Sequence, residues 1–263
     1  MELKLGDVQE TMLIPLVIRA NESLRKGARI YDGKAIEIIK RLNCDTQKYD
    51  AFMSHEGVIA RTILFDQRLK SYLKLFPNAV CVNLGCGLDD RFLRVDNGNI
   101  LWYDIDLADV IQVRKQCFAQ QERRTMMVGS ILEDSWTKQI EKGRKTIFIL
   151  EGLLMYFSKE EVQIILRNIT NNFSDVVILA ELMPSICANR NKYHDTVKNT
   201  KASFKWGTKS GHELEVLRPG LKLVKEDSFN IEMKKHTIRG WLFGTLPVIK
   251  NFNNRLAVYE WKR

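Results

Sequence analysis

The stretch that most limits what this chain can fold into is Val82-Asn83-Leu84-Gly85-Cys86-Gly87-Leu88-Asp89. An apolar run, Ala79 to Leu84, stops abruptly at Gly-x-Gly. Further on, a second apolar run, Ile100-Leu101-Trp102-Tyr103, ends in Asp104-Ile105-Asp106. A strand, a glycine turn, a helix and a second strand ending in a carboxylate make half of a nucleotide-binding sheet. Glycine lets the backbone approach a ligand where a Cβ would clash. An acid at the tip of the second strand can accept both hydroxyl hydrogens of a ribose. The pairing points to a cofactor that contains adenosine.

The turn also bears on which cofactor. A dinucleotide fingerprint needs a small residue three positions after the second glycine, so that the helix packs closely and its N-terminus faces the pyrophosphate. Here that position is Asp90, directly after Asp89. Two carboxylates at a helix start would repel a pyrophosphate and tolerate a cation. S-adenosylmethionine keeps the ribose, has no phosphate, and carries a sulfonium and an ammonium. It is therefore the expected cofactor. A nicotinamide-dependent oxidoreductase on the same sheet is the rival that Asp90 disfavours.

Composition narrows the class. With 45% hydrophobic and 28% charged residues over 263 positions, the chain has enough material for one large α/β domain or two small ones. No apolar run approaches the roughly 20 residues that span a bilayer. Met1 to Asp7 lacks a basic region followed by an apolar core, so no secretory signal and no membrane partner are expected. The cysteines Cys44, Cys81, Cys86, Cys117 and Cys187 form no C-x-x-C pair. Neither a zinc site nor a disulfide framework is indicated, and a reducing cytoplasm fits. The net charge of +9 is spread along the chain without a basic stripe interleaved with aromatics. No nucleic-acid partner is expected; attraction toward an anionic substrate needs less assumption.

Apolar residues recur at helical spacing through residues 8–76, and Pro77-Asn78 closes that block. Strands are expected at Ala79–Leu84, Ile100–Asp104, Thr125–Gly129, Thr146–Glu151 and Val176–Glu181. Helices are expected at Leu107–Gln120, Asp134–Lys142 and Lys159–Asn172. Leu221–Val224 and Leu256–Trp261 read as two more strands, the last an antiparallel edge or insertion. Near-continuous apolar strands between amphipathic helices predict a mostly parallel seven-stranded sheet covered on both faces. The expected organisation is a helical cap over 1–77, a cofactor-binding core over 78–182 and a substrate-side region over 183–263.

In such a sheet, ligands sit outside the carboxyl ends of the strands, so strand ends are read first. Asp106 is followed by a helix start and lies at the strand tip. It is favoured over its neighbour Asp104 for the ribose, and a plain helix N-cap is the alternative for either. Glu151 ends a purely apolar strand and needs a partner there, either a cationic ligand or a Lys or Arg. Tyr156 follows in the apolar Leu153-Leu154-Met155-Tyr156-Phe157 and is a candidate on the substrate side. Cys86 reads as a small residue filling a tight turn rather than as a reactive thiol. The histidines show no metal-ligand spacing. His194 and His212, after the sheet strands, are candidate bases, with a surface or packing histidine the commoner reading of each, and no Gly-x-Ser-x-Gly elbow occurs.

Taken together the motifs are recognisable. Val82 to Phe92 resembles the glycine motif of the leucine carboxyl methyltransferase family, with its bacterial TcmP-like (tetracenomycin polyketide synthesis) O-methyltransferase branch nearest. Trp102-Tyr103-Asp104-Ile105-Asp106-Leu107 is similar to that family's second-strand motif, and Glu151-Gly152-Leu153-Leu154-Met155-Tyr156 to its fourth-strand motif. Ile14 to Ser23 and Tyr31-Asp32 match in kind, and Phe204-Lys205-Trp206-Gly207 is a weaker echo. The resemblance implies a class I, Rossmann-like S-adenosylmethionine-dependent methyltransferase with a helical N-terminal cap. It implies that Arg61 binds the methionine carboxylate, and that Gly85, Cys86 and Gly87 contact the methionine part. It further implies that Asp106 holds the ribose, that Ser130 and Ile131 line the adenine, and that Glu151 lies beside the cofactor amine. Asp90, where the family has Thr, and Ala108, where a proline is common, depart from its pattern.

The resulting expectation is methyl transfer to an oxygen, a carboxylate of a polyketide-like small molecule or of a peptide terminus. A carboxylate with a pKa of about 4 is already ionised at neutral pH and needs no general base. The alternatives are a phenol or hydroxyl acceptor served by a histidine, and a non-catalytic binding protein on the same fold.

Overall fold

Strands made almost wholly of Val, Ile, Leu and Phe must be covered on both faces, and that requirement sets the architecture. The structure, a computed structural model, describes residues 9–42, 46–188, 197, 200, 202–246 and 253–263. Among these, β1 (Val80–Leu84), β2 (Leu101–Asp106), β3 (Arg124–Val128), β4 (Thr146–Leu150), β5 (Asp175–Leu182), β6 (Lys222–Ser228) and β7 (Arg255–Lys262) form one sheet. Its order is β3-β2-β1-β4-β5-β7-β6. The first five strands run parallel. β7 is antiparallel and inserted between β5 and β6. β6 extends four residues past the expected Val224, through Lys225, Glu226, Asp227 and Ser228. Charged residues suit an edge strand but erase the apolar alternation by which a strand is read.

The helices are α1 (Leu13–Ser23), α2 (Gly33–Leu42), α3 (Phe52–Leu75), α4 (Arg91–Val95), α5 (Ala108–Cys117), α6 (Lys159–Asn172), α7 (His212–Leu217), α8 (Asn230–Met233) and α9 (Ile238–Thr245). α6 begins where its sequence says it should. Ser158 Oγ accepts from the Glu161 N–H, and the Glu161 carboxylate accepts from the Ser158 N–H, a reciprocal cap. Its buried Val162, Ile165, Leu166 and Ile169 pack under Val82, Phe148 and Ile178 on one sheet face. The other face is covered by Phe65, Leu69 and Leu73 of α3 and Phe92 of α4, against Cys81, Ile147 and Leu179. The first turns of α3 instead join α1 and α2 in a third apolar cluster around Leu16, Ile38 and Ile59. One helix of 24 residues thus ties the cap to the sheet.

Two expected helices differ. Residues 134–142 form only a 3-10 turn, Ser135–Gln139, because a single apolar pair, Trp136 and Ile140, anchors the segment and Gly143 follows at φ +89°. α5 stops at Cys117 rather than at residue 120. Phe118 turns to extended backbone there, with its ring 4.4 Å from the Arg114 guanidinium carbon.

β1 is the switch point. It is flanked by β2 and β4, so the chain winds outward from it in both directions. The helices after β1 and β4 leave a crevice at the carboxyl ends of these strands.

Candidate active site

A cavity of about 880 Å³ opens at that crevice, near the upper end of the ~300–1,000 Å³ usual for ligand sites. Its wall includes Arg61, Gly85, Cys86, Gly87, Asp106, Ser130, Ile131, Glu151 and Tyr156. These residues come from α3, from the ends of β1, β2 and β4, and from the loop after β3, and the fold brings them together.

The glycine turn is built by constraint. Gly85 sits at φ +65°, and a Cβ there would lie 2.6 Å from Leu153 Cδ1. The Gly85 and Cys86 N–H groups both donate to the Ile105 carbonyl, which fastens the turn to β2. Cys86 is buried, and burial pushes its thiol well above the usual range, as a filling residue would have it. The Asp106 carboxylate accepts the N–H groups of Gly87 at 2.9 Å and Leu107 at 2.8 Å. A carboxylate has about four acceptor positions, so two stay open for hydroxyl donors. Burial raises Asp106 above the ordinary carboxylate range despite these two N–H groups.

Asp104 is a correction. It does not line the cavity and is fully buried. Its carboxylate accepts from Arg114 at 2.7 Å, Arg124 at 2.7 Å, Trp102 Nε1 at 2.9 Å and Asn83 Nδ2 at 3.3 Å. Nothing remains for a ribose. Burial pushes its carboxyl up, and the two guanidinium groups reverse this and hold it below the usual range.

Asp89 and Asp90 do not present the repelling pair of charges expected at the turn, because each is paired with arginine. Asp90 is buried against Arg124 at 2.7 Å. Asp89 pairs with Arg91 at 3.0 Å and Arg94 at 2.9 Å. Neither is a bare anion at the turn.

On the opposite wall Arg61 spans two acids, with Nε 2.8 Å from Glu151 and Nη1 3.1 Å from Glu181. Glu151 also pairs with Arg91 at 2.6 Å, so protein arginines supply the partner its burial demands. Glu181 further accepts the Gly152 N–H at 2.7 Å and Asn254 Nδ2 at 2.6 Å. Gly152 stands at φ +62°, and a Cβ there would lie 3.2 Å from Arg61 Nη1. Sequence reading missed Glu181 and Arg91, and also Arg19, which lines the cavity and pairs with Asp32 at 2.8 Å. Glu181 carries the same signal as Glu151, a carboxylate closing an apolar strand.

Tyr156 lines the cavity with its ring centroid 5.6 Å from that of Phe204. Its hydroxyl is bonded to Thr11, and burial raises its pKa. His212 is corrected as a base: it is exposed at the start of α7, pairs with Glu215 at 2.6 Å and does not line the cavity. His194 lies outside the described residues.

A doubly wound sheet with an inserted antiparallel β7, a glycine turn after β1 and an acid at the tip of β2 defines a class I S-adenosylmethionine-dependent methyltransferase. The chain belongs to the leucine carboxyl methyltransferase family, whose model matches residues 20–170. It is similar to the tetracenomycin polyketide synthesis O-methyltransferase TcmP of Streptomyces glaucescens, at 25% identity over 85% of this chain and 84% of that protein. It is also similar to the S-adenosyl-L-methionine-dependent methyltransferase dpfgK of Gibberella zeae, at 24% identity over 96% and 93%. Among solved structures, magnesium protoporphyrin IX methyltransferase from Synechocystis PCC 6803 with bound SAH shares the fold. Its TM-score is 0.51, at 11% identity over 88% of this chain and 95% of that one. The cofactor is S-adenosylmethionine and the reaction is methyl transfer. No described helix is long and apolar enough to cross a membrane.

Proposed function

We propose that this methyltransferase acts on an oxygen of a largely apolar small molecule, and that the oxygen belongs to an ionised carboxylate. The observation that carries this reading is the state of the acids on the cavity wall. Glu151, Glu181 and Asp89 are each held by arginine, and Asp106 by backbone N–H groups. A carboxylate held by arginine is a poor proton acceptor, and no histidine occurs among the described residues of the wall. An acceptor that arrives ionised needs no base. The remaining wall includes Met12, Ile14, Met53, Phe157, Phe204 and Phe229, which suits an apolar body. The relative named for polyketide synthesis supports a small molecule over a peptide terminus.

The donor set fits the cofactor. Asp106 would accept the ribose hydroxyls, and the bare backbone at Gly85, Cys86 and Gly87 would meet the methionine part. Ser130 and Ile131 would flank the adenine. Arg61 would hold the methionine carboxylate, exchanging part of its pairing with Glu151 and Glu181, and those acids would face the amine. When bound, S-adenosylmethionine supplies a methyl group activated by its sulfonium. The chain's own contribution is alignment and exclusion of water, worth up to several kcal/mol of barrier. Tyr156, anchored through its hydroxyl and packed at a 42° tilt against Phe204, would orient the acceptor.

The test is the pH profile of turnover over a panel of carboxylic acids and phenols. A carboxylate acceptor gives a rate nearly flat from about pH 6 to 8, because a free carboxyl has finished titrating by then. A rate rising through roughly pH 6.5 and lost on His194→Gln would replace this reading with base-assisted hydroxyl methylation.

A further inference from the structure

Beneath the glycine turn, on the side away from the cavity, lies a sealed group of charges that the reaction itself does not use. Arg114 of α5 is fully buried and does not line the cavity. Its Nη1 donates to the Gly87 carbonyl at 2.7 Å. Its Nη2 donates to the Asp89 carbonyl at 2.8 Å and to the Asp104 carboxylate at 2.7 Å. The Phe118 ring covers the guanidinium at 4.4 Å. One side chain therefore fastens two peptide oxygens of the turn to a carboxylate anchored in the middle of β2.

We infer that Arg114 is a positioning residue for cofactor binding, acting through the backbone of the glycine turn. A peptide unit is planar and trans, so drawing a carbonyl one way sends the next N–H the other way. Holding the Gly87 oxygen toward α5 fixes the plane that follows it, on a segment where Gly87 and Leu88 both line the cavity. The plane before it is held separately, by the Gly87 N–H donating to Asp106 at 2.9 Å. The two glycines of the turn, Gly85 at φ +65° and Gly87 at +49°, have no side chain to limit their backbone motion. The limit is applied from outside. Asp104 is what aims the fork, since its lone pairs are filled by Arg114, Arg124, Trp102 and Asn83. A flat guanidinium with donors in fixed directions can hold two carbonyls and a carboxylate at once, whereas a single ammonium cannot keep that geometry.

Arg124 provides the internal control. It is equally buried and shares Asp104, but its other partner is the Asp90 carboxylate, and it bonds neither the Gly87 nor the Asp89 carbonyl. Arg114→Lys and Arg124→Lys both weaken the same buried group, and only the first releases the turn. The inference rests on the reading of the glycine turn and Asp106 as the cofactor wall.

The experiment is calorimetric titration of S-adenosylhomocysteine into wild type, Arg114→Lys, Arg124→Lys and Asp106→Ala, at a temperature where thermal melts show all four folded. The expected result is an affinity at least tenfold weaker for Arg114→Lys and within threefold of wild type for Arg124→Lys, with comparable losses of thermal midpoint. If the two lysine variants lose affinity equally, or Arg114→Lys loses none, while Asp106→Ala binds weakly, Arg114 is merely structural and the inference falls alone. If Asp106→Ala also binds as wild type does, the reading of the wall falls with it. Should Arg114→Lys fail to fold, the double variant D104N/R114Q removes both charges of the pair together and carries the same expectation of at least tenfold.

Discussion

Two acids two residues apart on one strand have opposite fates. Asp104 and Asp106 both belong to β2, and both carry the carboxylate that a nucleotide-binding reading looks for. Asp104 points into a sealed group of two arginines, a tryptophan and an asparagine, and its pKa is held below the usual range. Asp106 stands at the cavity with N–H partners only, and its pKa is raised. The difference is one of supply. An acid that the fold fully satisfies stabilises the fold, whereas an acid left with open lone pairs and no cation is ready for a ligand. Chemistry at a site is marked by what the protein leaves unfinished.

The comparison can be broken in three ways. The largest effect is expected for Asp104→Ala, which leaves buried Arg114 with no carboxylate partner and Arg124 with Asp90 alone. Removing one partner of a buried pair costs about 3–5 kcal/mol. At roughly 2–4 °C per kcal/mol for a chain of this size, the thermal midpoint should fall by about 10 °C. A melt shifted by only a degree or two would mean that the sealed group contributes little to the fold.

Asp106→Ala should act on binding rather than on the fold. Each lost hydrogen bond to a charged acceptor is worth about 1.5–3 kcal/mol. Affinity for S-adenosylhomocysteine should drop at least tenfold, with a thermal midpoint near that of wild type. A midpoint loss matching that of Asp104→Ala would erase the distinction.

The smallest effect is in pH. The raised pKa of Asp106 means that it protonates first as pH falls, and a protonated carboxyl accepts fewer hydroxyl hydrogens. Affinity for S-adenosylhomocysteine should therefore weaken severalfold while pH is still above the usual carboxylate value of about 4. The lowered pKa of Asp104 has the opposite sign for stability. Its contribution is present above the unfolded value and is lost only as pH falls through the lower folded value. Binding should thus fade before the fold does. Titrations at pH 7 and 5 would check this, and Asp106→Asn should flatten the trend.

Legibility in the sequence follows the same division. β1, its glycine turn and α6 were readable because local chemistry decides them: an apolar run stopped by glycine, and Ser158 with Glu161 at capping distance. That Asp106 reaches the cavity was readable from its place before a helix start. What could not be read was pairing across the fold. Arg114 lies ten residues from Asp104 and Arg124 twenty, and nothing local says that both close on it. For the same reason Asp89 and Asp90 looked like bare charge, when Arg91, Arg94 and Arg124 neutralise them. Glu181 was legible by the reasoning that found Glu151, since both close apolar strands. The edge strand β6 was only half visible, because the charges that protect an edge hide the alternation that reveals a strand.

The most direct test of the account is a crystal structure of this protein with S-adenosylhomocysteine. The account predicts the ligand in the cavity at the ends of β1 and β4. The ribose hydroxyls should lie within hydrogen-bond distance of the Asp106 carboxylate, and Asp104 should still be in contact with Arg114 and Arg124. A ribose seated on Asp104, with its arginines displaced, or a ligand bound away from Asp106, would contradict it.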